Sequence, residues 1–133
     1  VATLADTNVL LDVATDDPEW ADWSANALKG AALQGPLIVN DVIYAELSVR
    51  FERIEDLNAF VGEAGLIVEP IPKEALFLAG KAFLGYKLNG GKRNGVLPDF
   101  FIGAHALVAG HTLLTRDSGR YLTYFPGISL ATP

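Results

Sequence analysis

The chain has no cysteine among its 133 residues, which excludes disulfides, thiolate metal centres and cysteine nucleophiles. Only two histidines are present, too few to expect a closed structural zinc site. No unbroken apolar run approaches the roughly 20 residues of a membrane span, and no basic segment followed by an apolar one opens the chain. A soluble, cytoplasmic protein with no membrane partner is expected. The chain opens at Val1 rather than methionine, so an initiator or short leader is expected ahead of it. Basic residues are also scarce: 10 Lys and Arg stand against 16 Asp and Glu, a net charge of −6. Such a surface does not suit a general nucleic-acid coat, because phosphate binding needs cations to displace counter-ions.

The shortage of cations is uneven. No acid falls between Glu74 and Asp99, a stretch holding Lys81, Lys87, Lys92 and Arg93, and Arg116 and Arg120 flank Asp117. Half of the residues are apolar, enough for one compact core, and the length fits a single domain spanning 1–133.

Short apolar triplets alternate with helical patterns. Residues 2–5, 37–39, 66–68 and 112–115 read as strands, with a fifth expected at 128–130. Helices are expected over 8–14, from an Asp17 cap with Pro18 to near Gly35, from Asn40 or Asp41 through Leu47, over 54–64 and over 73–88, and from Pro98 onward. Asn89 to Gly95, with three glycines, reads as a break. This alternation predicts an α/β fold with a mostly parallel sheet of four to five strands and helices on both faces.

Four acids stand at comparable places. Asp6 ends the first strand and Asp117 follows the fourth, at the carboxyl edge where parallel sheets bind ligands. Asp6 would also serve as an N-cap, and Asp117 as the cap of a turn or a short helix. Glu46 lies four residues before Arg50, the spacing of a surface ion pair. Asp99 sits in the first turn of an almost wholly apolar helix, where the helix dipole favours it. Gly103, one turn on, costs about 1 kcal/mol relative to alanine and suggests tight packing against the sheet. Taken together, the acids are a ligand set for a hard dication, which would relieve their mutual repulsion and activate water. Asp12 reads as solvated, His105 as a hydrogen-bonded core residue and His111 as exposed. Trp20 and Trp23 read as packing or interface residues.

The segments ADTNVLLD, VIYAEL, LPDFFIGAHAL and LLTRDSGRY, in this order and at these separations, resemble PIN-domain ribonucleases, and among them the VapC-like toxins of bacterial toxin–antitoxin pairs. The resemblance covers the whole chain. It implies a PIN-like three-layer α/β/α fold and a metal-dependent endoribonuclease, with Asp6, Glu46, Asp99 and Asp117 as catalytic residues holding Mg²⁺ or Mn²⁺. Asn8 and Thr115 match supporting polar positions. The products would carry a 5′-phosphate and a 3′-hydroxyl. Arg116, Arg120, Lys92 and Arg93 are candidates for holding RNA phosphates. A cognate VapB-like antitoxin and a homodimer are the implied partners.

Two other classes compete. A receiver-like signalling domain needs adjacent acids after the first strand, an Asp after the third and a Lys after the fifth; here Asp6 stands alone and Glu69 and Pro70 follow the third strand. A haloacid-dehalogenase-like phosphatase would want an Asp where Asn8 stands. A non-catalytic PIN-like binding scaffold would tolerate loss of the acids.

Overall fold

In the computed structural model, which describes residues 1–93 and 96–133, the apolar triplets become strands β1 (Thr3–Ala5), β2 (Leu37–Val39), β3 (Leu66–Val68) and β4 (Thr112–Leu114), joined by β5 (Leu130–Ala131). Helices α1 (Thr7–Ala14), α2 (Ala21–Gln34), α3 (Asp41–Ser48), α4 (Ile54–Glu63), α5 (Lys73–Leu88), α6 (Leu97–Ala109) and α7 (Gly119–Tyr124) connect them. The sheet order is β3-β2-β1-β4-β5 and every pairing is parallel. Central strands of such a sheet are covered on both faces and must be apolar throughout. Accordingly β1 and β2 are buried along their length, whereas the edge strand β3 leaves Ile67 and Val68 exposed. The expected α/β class holds, with a sheet that is wholly rather than mostly parallel.

Local signals place most element ends. Asn40 caps α3 by accepting a hydrogen bond from the Ile43 N–H at 2.9 Å, and Gly65, at φ +69°, turns the chain out of α4. Three expectations need correction. The Asp17 carboxylate accepts from the N–H groups of Glu19 and Trp20, which makes a capped turn, and α2 proper begins only at Ala21. The last strand lies at Leu130–Ala131, because Ile128 is a buried loop residue packed into the core. The short helix that Asp117 was one candidate to cap is α7, and Ser118, not Asp117, stands at its N-cap. The expected break after α5 extends to Asn94 and Gly95, which lie outside the described residues.

The glycine in α6 answers to α7 and not to the sheet. A Cβ on Gly103 would lie 2.5 Å from Cε2 of Phe125 and 3.0 Å from Cδ1 of Tyr121. Both rings are buried, at 1% exposure, so neither can swing away into solvent. Gly103→Ala gains helix propensity of about 1 kcal/mol but overpacks this contact, a change that typically costs about 1–3 kcal/mol. The variant is therefore expected to unfold at lower urea concentration than the wild type, and an unchanged or raised midpoint would contradict the packing argument.

Candidate active site

In the order β3-β2-β1-β4-β5 the chain reverses direction across the sheet between β1 and β4, and in open α/β sheets ligands bind in the crevice outside that switch point. The residues that leave those two strands are Asp6 and the Thr115–Asp117 turn. Helices α3 and α6 bring Glu46 and Asp99 to the same crevice. Asp6, Asn8, Glu46, Asp99 and Asp117, with Thr7 and Leu11, line one open cleft of about 280 Å³. A roomier cavity of about 430 Å³ around Trp23 and Thr112 has no titratable side chain in its lining.

Asp6 is the fixed centre of the cleft. It is 5% exposed, and its Oδ1 accepts from the Thr7 N–H at 2.8 Å. Oδ2 accepts from the Thr115 hydroxyl at 2.8 Å and the Tyr121 phenol at 3.0 Å. Burial nevertheless dominates and raises the Asp6 carboxyl to about 6; the Thr115, Tyr121 and Thr7 hydrogen bonds oppose the rise and the nearby Asp99 charge adds to it. Burial also raises Glu46, whose Oε1 accepts from the Thr7 hydroxyl at 2.6 Å, and Asp99 raises it further. Asp99 is itself raised by burial, with Arg120 opposing and Asp117 reinforcing. These mutual effects place the four carboxylates in one electrostatic site. Burial, with the Asp6, Asp99 and Asp117 charges, pushes the Tyr121 phenol well above its ordinary value, so it stays a donor.

The supporting positions also meet here. Thr115 accepts from the Asp117 N–H at 3.0 Å and from Asn8 Nδ2 at 3.4 Å, and Asn8 Oδ1 accepts from the Arg116 N–H at 3.3 Å. Asp117, unlike the other three acids, is exposed. The ion pairs of the described residues do not include Glu46 with Arg50. Asp12 corrects an expectation: it is 3% exposed, not solvated, and takes a bidentate ion pair from Arg116 at 2.7 and 2.9 Å plus a bond from Ser24. Arg116 is thereby engaged, its guanidinium also lying 5.0 Å over the Trp20 ring. Arg120 donates directly to Asp99. Lys92 and Arg93 are exposed just after α5, and Arg93 is close enough to lower Asp99 electrostatically.

Sequence reasoning missed Tyr121 and the Asp12 pair. Tyr121 carried no signal, because a six-residue helix has no periodicity to read. Asp12 did: Val9 and Leu10 mark the buried face of α1, and Asp12 shares it.

A second polar cluster joins Glu69, His105 and His111, the only group of three ligand-type side chains among the described residues whose donor atoms all lie within 4.8 Å of one another. Its hydrogen bonds assign its protons. Asn40 Oδ1 is committed to the Ile43 N–H, so its amide nitrogen faces His105 Nδ1 at 3.0 Å, which must then be the acceptor. His105 therefore carries its proton on Nε2 and donates it to Glu69 at 2.9 Å; His111 lies at the same distance from that oxygen and is partly buried rather than exposed.

The raised Asp6 value fixes the sign of a pH effect. Between about 4 and about 6 the folded chain holds a proton at Asp6 that the unfolded chain has lost, so this group's contribution to stability falls as pH rises. Asparagine keeps the N-cap and removes the charge. In chelator, Asp6→Asn is expected to gain on the wild type by on the order of 3 kcal/mol between pH 4 and pH 7. Denaturation at both pH values measures the gap, and a gap independent of pH would refute the assignment.

The PIN-domain family pattern matches residues 3–125. Solved structures of toxin–antitoxin complexes share the fold. VapBC2 from Rickettsia felis, bound to a DNA fragment from its promoter, has a TM-score of 0.76 at 17% identity, covering 100% of this chain and 99% of that one. VapBC-1 from nontypeable Haemophilus influenzae gives 0.74 at 17%, covering 99% and 98%. A toxin–antitoxin complex from Klebsiella pneumoniae gives 0.70 at 21%, covering 98% and 97%. A comparison with curated protein sequences gives no match. With most of its length matched and its acids gathered at the switch point of a parallel sheet, the chain belongs to the PIN-domain family.

Proposed function

We propose that the protein is a metal-dependent endoribonuclease acting as the toxin of a toxin–antitoxin pair, and that Asp6, Glu46, Asp99 and Asp117 are its catalytic and metal-binding residues. The observation that carries this reading is the convergence of four carboxylates from four separate elements on one cleft. The donor set suits the ion. All the donors are carboxylate oxygens, the choice of Mg²⁺ or Mn²⁺ over softer metals. Wide spacing also fits, since no three of these acids come within 4.8 Å of one another and such an ion keeps several of its waters. The Arg120 ion pair on Asp99 supports a place for positive charge here.

A bound dication supplies positive charge to the scissile phosphate and makes water more acidic. The protein's own residues do the rest. Thr115, Tyr121 and the Thr7 N–H hold Asp6 in one rotamer, and the Thr7 hydroxyl orients Glu46. Asp117 stands at the open side of the cleft, where it can take a proton from the attacking water. Arg93 and Arg120 act on Asp99 and, with the exposed Lys92, hold RNA phosphates, while Arg116 contributes by fixing the loop that bears Asp117. Hydrolysis leaves a 5′-phosphate and a 3′-hydroxyl. Partner complexes among the structures sharing the fold, VapBC assemblies, support a VapB-like antitoxin for this chain, and a homodimer is the form expected of it. A single domain accounts for residues 1–133.

The observed strand order disfavours the receiver-like alternative, whose doubly wound sheet runs 2-1-3-4-5. Total cellular RNA incubated with antitoxin-free protein in Mg²⁺ or Mn²⁺ is expected to acquire discrete new 5′ ends, mapped by sequencing. Chelator should abolish them, and Asp99→Asn should lower the rate by about 100-fold or more. Folded, inhibitor-free protein that yields no cuts in either metal would favour a binding scaffold instead.

A further inference from the structure

The segment between Thr115 and Tyr121 carries two arginines with opposite characters. Arg116 makes two short bonds to a carboxylate whose side chain is 4% exposed and lies over Trp20. Its own side chain is 28% exposed, yet two nitrogens and one face of the guanidinium are engaged. Arg120 instead meets Asp99 through one nitrogen, in a pair whose side chains are 22% and 29% exposed, at the mouth of the cleft. It sits on α7, a six-residue helix with no side-chain cap. Its partner faces the like charges of Asp6, Glu46 and Asp117, and Arg120 is the only cation that ion-pairs with any of these acids among the described residues.

We propose that Arg120 is a displaceable counter-ion, a positioning residue that holds Asp99 through its guanidinium in the metal-free protein and must be expelled before a dication can use that carboxylate. The inference rests on the proposed metal site. Because the guanidinium and a dication would compete for the same carboxylate, the population with Asp99 released sets the apparent metal affinity. The exchange also turns a guanidinium loose beside the substrate path at the moment the cleft becomes competent.

Two effects have to be separated, since removing any nearby positive charge favours cation entry. Arg93 provides the comparison: it acts on Asp99 by charge alone and makes no ion pair with it. Mn²⁺ titration by calorimetry of the wild type, Arg120→Gln, Arg120→Lys and Arg93→Gln gives the primary reading. Arg120→Gln is expected to bind Mn²⁺ at least tenfold more tightly than the wild type, Arg120→Lys to fall between, and Arg93→Gln to change by less than threefold. Thermal melts add an independent signature: Arg120→Gln should melt below the wild type in chelator, with the gap closing in saturating Mn²⁺. Equal or weaker binding by Arg120→Gln, or an equal gain in Arg93→Gln, overturns the exchange and leaves the metal site standing. No Mn²⁺ binding by wild type and variant alike overturns both.

Discussion

A carboxylate held at 5% exposure at the end of the central strand is the constraint around which this fold is arranged. Burying the Asp6 charge is costly, and the protein meets that cost with donors from three elements: the first N–H of α1, the hydroxyl that ends β4 and the phenol of α7. None of these elements can move without removing a partner from the buried acid. The close approach of α7 to α6 at Gly103 accompanies the same contact, since Tyr121 both touches Gly103 and reaches Asp6. Core packing and site geometry are here one problem, and the small residue in α6 solves both sides of it.

From Asp6 the order spreads through Thr115. A hydroxyl has one proton, and at 2.8 Å it goes to Asp6, leaving the oxygen lone pairs for the Asp117 N–H and the Asn8 amide. The direction of that proton orients the turn. Arg116 then ties the turn to α1 and α2 through Asp12, a buried acid that also takes the Ser24 hydroxyl. Asp117 is exposed, yet the backbone that carries it is fastened on both sides. Its position is set by the main chain and needs no packing of its own side chain. The result is a graded site, with one acid sealed, two half-buried and one in solvent, so that charge repulsion is borne mostly where burial has already weakened ionisation.

Much of this was legible in the sequence. The triplets TLA, LIV, LIV and TLL read as strands, although the edge triplet of β3 is half exposed, and the helices between them imposed a parallel sheet. The two strands with strand-then-acid endings, β1 and β4, lie side by side. What escaped reading was interaction at long separation. Tyr121 reaches Asp6 across 115 positions, and Arg116 reaches Asp12 across 104; no local pattern announces either. The glycine in α6 was visible as an anomaly, but its partner was not, because the sequence shows that a close approach exists without showing what approaches. Asp17 misled for a related reason: it caps a turn with the same bonds that would start a helix.

The two polar clusters show why proximity alone does not define a metal site. Glu69, His105 and His111 stand closest together, but Asn40 fixes His105 with its proton on Nε2, aimed at Glu69. Metal-binding histidine ordinarily donates its other ring nitrogen outward and presents a lone pair to the ion. Here the pattern is reversed, and correcting it would cost the cap of α3. Burial acts on Glu69 too, but its contacts with His111 and His105 outweigh it and hold Glu69 below its ordinary value. That cluster is satisfied as it stands. The acids at the switch point are the converse case: more widely spaced, three of them raised by burial, and relieved by a single arginine contact at the rim. An arrangement whose charges are left partly unbalanced in the folded chain has a use for a dication; one whose hydrogen bonds already close has none.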